Sequence, residues 1–120
     1  VTIDASGNLV ASGNVTAYSD RKLKTNIQTI RNALETVSKL RGVTFDWIES
    51  GQKSVGMIAQ EVEEIIPELI TESEVKGPED KEPTDVIKSL DYSKMVAILI
   101  EAIKEQQERI EALEEKLNGN

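Results

Sequence analysis

The sequence predicts an α+β fold: a small globular part with a β-hairpin and short helices, a β-stalk remnant before it and a long coiled-coil-like helix after it. Three observations carry this. Ser6-Gly7-Asn8 recurs six residues later as Ser12-Gly13-Asn14, each time followed by apolar or β-branched residues. Residues 43–48 read Val-Thr-Phe-Asp-Trp-Ile, which alternates in the manner of a strand. Val96, Leu99, Ile103, Gln106, Ile110, Leu113 and Leu117 step by threes and fours, which is a heptad seam.

Taken in order, the first 18 residues have turn chemistry at each Gly-Asn and strand formers between. A short fixed period of strand and turn suits the end of a repetitive β-rich fibre stalk; a disordered or simple hairpin leader is the other reading. Tyr18-Ser19-Asp20-Arg21-Lys22-Leu23-Lys24 is a polar junction where the composition changes. Ile27, Ile30, Leu34, Val37 and Leu40 then mark one face of a helix over 27–40, with Thr29 or Asn26 as its cap and Gly42 as its end. A turn at Glu49-Ser50-Gly51-Gln52 joins the 43–48 strand to a second one over 54–58. Residues 59–66 form a short helix with Val62, Ile65 and Ile66 inward, stopped by Pro67 before an extended piece. Residues 71–85 are charged and Pro/Gly-bearing and read as a solvated loop. Residues 87–90 return as a short strand, and Asp91 or Ser93 caps the long helix. The organisation is therefore stalk end over 1–18, globular domain over 19–92 and long helix over 93–120.

The composition favours shared burial. Of 120 residues 38% are apolar, yet one Phe, one Trp and two Tyr supply all the aromatic bulk. A core built by one chain is thin, because short chains bury a smaller share of their surface. The seam offers a remedy, with Gln106 as a polar layer that sets register or strand number. An amphipathic helix packed on its own domain is the competing reading of the same stripe.

Charge and missing residue types remove whole function classes. Net charge is −8, from 14 basic and 22 acidic residues. A general nucleic-acid binder needs a basic face, and docking on anionic membranes needs one too. With no Cys and no His, disulfides, thiol catalysis, the usual zinc sites and a Ser-His-Asp triad are all excluded. No cofactor loop is present, and no apolar run reaches the roughly 18 residues of a membrane span. The start at Val1 reads as a piece cut from a longer chain.

Ser19 and Lys24 are the one pair with chemical promise. A neutral lysine amine can activate a serine hydroxyl in place of His. A free lysine, with a pKa near ~10.4, is mostly charged, so it needs burial or neighbouring cations, such as Arg21 and Lys22, to lose its proton. Without further information the same residues read as a polar hinge with a basic surface.

From Ser19 to about Asn118 the chain resembles the C-terminal intramolecular chaperone auto-processing domain of phage tailspikes, tail fibres and endosialidases. The same module occurs in myelin regulatory factor. The stretches that carry the resemblance are residues 19–27 (Ser-Asp-Arg-Lys-Leu-Lys-Thr-Asn-Ile) and 40–47 (Leu-Arg-Gly-Val-Thr-Phe-Asp-Trp). They continue at 55–62 (Val-Gly-Met-Ile-Ala-Gln-Glu-Val), Pro67-Glu68-Leu69, Leu90-Asp91-Tyr92 and Ile103-Lys104-Glu105. The resemblance implies a homotrimer that registers three chains and promotes folding of a triple-β-helix-like stalk upstream in the same chain. A serine/lysine dyad then releases it, as a single-turnover self-cleaving endopeptidase. Carried over by position, Ser19 is the nucleophile and the first residue after the cut, Lys24 is the base, and Tyr18-Ser19 is the scissile bond. Residues 56–61 lie beside the site or serve the structure. The implied setting is a virion tail-fibre precursor assembled in the host cytoplasm, with the released domain not retained. The alternative is a non-cleaving trimerisation or interaction module at a fibre tip.

Overall fold

Three antiparallel strand pairs, three α-helices and two 3-10 turns form the regular structure of the computed structural model, which describes residues 1–5, 7–75 and 85–119. β1 (Thr2–Ile3) and β2 (Leu9–Val10) pair with Thr2 opposite Val10. Asp4 closes their turn, since its Oδ1 accepts the Asn8 N–H at 2.9 Å. Gly7 and Asn8 thus lie in a hairpin turn, whereas Ser12-Gly13 is a bend with no strand directly after it. The sequence repeat is not a structural repeat within one chain.

The helix expected over 27–40 is shorter. α1 spans Ala33–Ser38. Asn26 and Asn32 both take left-handed backbone conformations, with φ of 54° and 56°, and no helix can run through them. Ile27 and Ile30 are consequently exposed. Neither Thr29 nor Asn26 caps α1: Asn32 occupies the cap position without a side-chain bond. The helix stops at Lys39, before Gly42.

β3 (Val43–Asp46) and β4 (Lys53–Gly56) form the expected hairpin, with Val43 opposite Gly56 and Asp46 opposite Lys53. Val43 and Phe45 are half-buried, while Thr44 and Asp46 face water. Gly51 makes the turn possible: its φ of +70° disfavours any side chain, and its N–H donates to the Trp47 carbonyl at 2.8 Å. Phe45 and Trp47 meet edge to face with ring centroids 5.0 Å apart.

α2 (Ala59–Ile65) buries Val62, the most enclosed large side chain, at 1% exposure. Pro67 stops it, and a single 3-10 turn, Pro67–Leu69, follows. The residues expected as a loop contain structure at both edges. β5 (Ile70–Val75) pairs with β6 (Asp85–Leu90), placing Ile70 opposite Leu90 and Glu72 opposite Lys88. Lys88 pairs with Glu72 at 3.1 Å and also with Glu63 of α2, which ties the hairpin to the helix. The middle of that expected loop, 76–84, lies outside the described residues.

α3 (Tyr92–Asn118) is capped by Asp91, whose carboxylate accepts the Ser93 N–H. Its inward residues Met95, Ile98 and Ala102 join Ala33, Val62, Ile66 and Leu69 in the buried core. Leu34, Val37, Leu40, Met57, Ile65, Ile70 and Leu90 are packed around it. α1 lies along the first half of α3, and beyond Glu105 every described α3 residue is exposed. The radius of gyration, 19.5 Å, therefore exceeds the roughly 14 Å of a compact chain of this length.

Tyr92 joins α3 to the central hairpin. Its hydroxyl oxygen accepts the Met57 N–H at 3.0 Å. The same oxygen would lie 2.7 Å from a Cβ placed on Gly56. Gly56→Ala is expected to destabilise the fold by about 1–3 kcal/mol through overpacking. Tyr92→Phe removes the obstructing oxygen, and the next atom of that ring, Cζ, sits at an ordinary 3.7 Å. Urea denaturation of both single variants and the double should accordingly show coupling: in the Tyr92→Phe background the alanine costs much less.

Candidate functional site

The polar junction folds as one tight turn. A 3-10 helix spans Arg21–Leu23, with Asp20 as its N-cap and Lys24 as its C-cap. The Asp20 carboxylate accepts the Lys22 N–H at 2.8 Å, and the Asp20 carbonyl accepts the Leu23 N–H at 3.1 Å. The Lys24 N–H donates to the Arg21 carbonyl at 3.1 Å. Three residues per 3-10 turn bring the chain back on itself, so residues 19 and 24, just outside the turn on either side, meet. Lys24 Nζ lies 2.9 Å from Ser19 Oγ.

That distance permits proton transfer in either direction. Tyr18 is 96% exposed, and Ser19 through Lys24 are exposed as well. Every described hydrogen bond made by residues 19–24 stays within that segment. Residues 56–61 do not bond to it. Gly56 lies under Tyr92, and the Glu61 carboxylate accepts two bonds from the Arg41 guanidinium, at 3.0 and 2.6 Å. That fork holds the Glu61 carboxyl below its ordinary range. One chain thus assembles the serine/lysine pair and leaves it open to solvent on its far side.

The predicted seam occupies a face of α3 different from the one the core uses. Val96, Leu99, Ile103, Gln106, Ile110, Leu113 and Leu117 are all exposed, from 41% at Leu99 to 85% at Leu117 for the apolar ones. The reading of α3 as a helix packed on its own domain accounts for Met95, Ile98 and Ala102 and leaves the heptad stripe uncovered in one chain.

The family described as chaperone of endosialidase matches residues 19–71, beginning at Ser19 itself. Residues 19–71 belong to that family. The long tail fiber protein Gp37 of Enterobacteria phage K3 is 33% identical over 109 residues, covering 87% of this chain and 8% of the phage protein. The Gp37 of Enterobacteria phage M1 is 36% identical over 106 residues, covering 82% of this chain and 39% of the relative. The chain thus spans well under half the length of these relatives. A crystal structure of a novel intramolecular chaperon shares the fold, with a TM-score of 0.58 at 18% identity, over 76% of this chain and 99% of that one.

Within the chaperone-of-endosialidase segment and the helix that follows it, several resembling stretches act in structure. Arg41 of one is clamped to Glu61 of another, and Gly56 receives Tyr92. Glu105 does what sequence reasoning missed. Its carboxylate accepts the Leu34 N–H at 3.0 Å and the Ala33 N–H at 2.9 Å, which supplies the cap that Asn32 does not. An acidic residue on the flank of a heptad gives no hint of a partner 72 residues away; its place in the Ile103-Lys104-Glu105 stretch was the available signal.

These two N–H bonds lower the Glu105 pKa from its ordinary 4.5. A carboxylate with a lowered folded pKa contributes stability above its unfolded value, and that contribution is lost as pH falls through the folded one. Denaturation midpoints of the wild type should therefore exceed those of Glu105→Gln above about pH 5, and the two should converge as pH drops below 4.5.

Proposed function

We propose that this chain is the assembly domain of a phage tail fibre. Three copies join along the outer stripe of α3 as a homotrimer and hold the upstream stalk of the same chain in register while it folds. They then release themselves by cutting Tyr18-Ser19. The precursor belongs to the virion tail fibre and assembles in the host cytoplasm, with residues 1–18 as the stalk end, 19–92 as the processing domain and 93–120 as the assembling helix. The observation that carries the reading is the two-faced α3. One stripe is consumed by the chain's own core, and the heptad stripe beside it stands free. A stripe of seven residues at a/d spacing fits other copies of itself through knobs-into-holes packing.

The 2.9 Å pair supports the cut. A neutral Lys24 amine takes the Ser19 hydroxyl proton as Oγ bonds to the Tyr18 carbonyl carbon. The tetrahedral carbon expels the Ser19 nitrogen, which takes that proton back from Lys24 and becomes the free α-amine. Tyr18 is then joined to Ser19 Oγ as an ester. Water hydrolyses the ester, leaving a Tyr18 carboxylate and a restored Ser19 hydroxyl. No substrate pocket is needed, because nucleophile and target are covalent neighbours.

Assembly supplies the missing condition. In water a lysine amine is charged and cannot act as a base. Partner chains packed over the open turn would exclude water and favour the neutral amine. The exposure of Ser19 and Lys24 in one chain also favours a second reading, a non-cleaving trimerisation module at a fibre tip. Light scattering and intact mass on the purified chain separate them. A trimer that accumulates residues 19–120 supports the cutting domain, a trimer that stays whole supports the tip module, and a monomer contradicts both.

A further inference from the structure

We infer that Asp20 is a positioning residue that closes the Ser19–Lys24 pair by capping the turn between them; this rests on the self-cleavage reading above. The two residues lie five positions apart and no element of the core braces them. Its closure depends on the local turn, and Asp20 ties that turn at two points: its side chain to the Lys22 N–H at 2.8 Å and its carbonyl to the Leu23 N–H at 3.1 Å. The carbonyl bond survives any substitution, so the carboxylate carries the side-chain share. Asp20 sits at φ −65°, ψ 136°, the extended conformation expected of an N-cap. Ser19 precedes it directly, so losing the cap frees the nucleophile's own backbone.

Capping needs an acceptor oxygen and no charge. This separates the inference from an electrostatic role. Asp20→Asn and Asp20→Ser should cut at near the wild-type rate with an unchanged pH profile. Asp20→Ala should cut about tenfold more slowly, the scale of one lost cap. Amide hydrogen exchange at Lys22, measured in the same four trimers, should be faster only in Asp20→Ala. Wild-type cutting and exchange in Asp20→Ala overturn the inference. Asp20→Asn as slow as Asp20→Ala, or shifted in its pH profile, also overturns it, because charge is then what matters. If the wild type never cuts, the cleavage reading fails by itself, and Lys22 exchange still decides: equal rates in wild type and Asp20→Ala overturn the cap, and faster exchange in Asp20→Ala supports it.

Discussion

Replacing Ile110 and Leu113 together by Asp should convert a three-chain particle into single chains. Both side chains are exposed in one chain, on the part of α3 beyond Glu105 where every described residue is exposed. The monomer fold should therefore hold: the far-ultraviolet spectrum and denaturation midpoint of the isolated chain change little. In a trimer the same two positions put six apolar side chains in the seam, each stabilising by roughly 1.5–3 kcal/mol when buried. Aspartates there replace that gain with six like charges in close quarters. Light scattering at micromolar concentration should report one chain mass for the variant and three for the wild type. As a control, Glu111→Gln, on the flank, should leave the trimer intact. A trimeric double variant would place the assembly surface elsewhere.

Ser19→Ala should stop the cut completely, since no other atom can form the ester. Lys24→Ala should slow it by about 10²–10⁴-fold, the usual contribution of a positioned base. Lys24→Arg is the sharper test. It keeps a positive charge on a flexible stem, but a guanidinium does not give up its proton in proteins. It should assemble as the wild type does and remain whole. Intact mass over a time course reads all three. Normal processing in Lys24→Arg would remove Lys24 from the chemistry, and loss of the trimer in any of the three would tie the junction to assembly instead.

The features that sequence made legible are the strictly periodic ones. The 3-4 spacing of the seam and the alternation at 43–48 each reflect a regular element with two faces, and both elements formed, the strand ending at Asp46. The 27–40 helix shows how a period can mislead. Ile27, Ile30, Leu34, Val37 and Leu40 fit a helical face, but the positive φ of Asn26 and Asn32 breaks the backbone that the face requires. β5 was hidden for the opposite reason. Thr-Glu-Ser-Glu has no apolar alternation, and the strand exists because Ile70 pairs with Leu90 and Glu72 with Lys88. Glu105 was hidden by distance, as its partners are on another helix. The Ser19–Lys24 contact lies between these cases: a five-residue spacing is uninformative unless the intervening residues form one 3-10 turn, and the Asp at position 20 is the local sign that they do.

Assembly should precede and permit the cut. This is tested most directly by separating freshly made wild-type chain by size with in-line light scattering and taking the intact mass of each fraction over time. A chain beginning at Ser19 should arise only in the three-chain fraction, and monomer should stay whole. Cut chain arising in monomer at the same rate, or a stable three-chain particle that never loses residues 1–18, would contradict this.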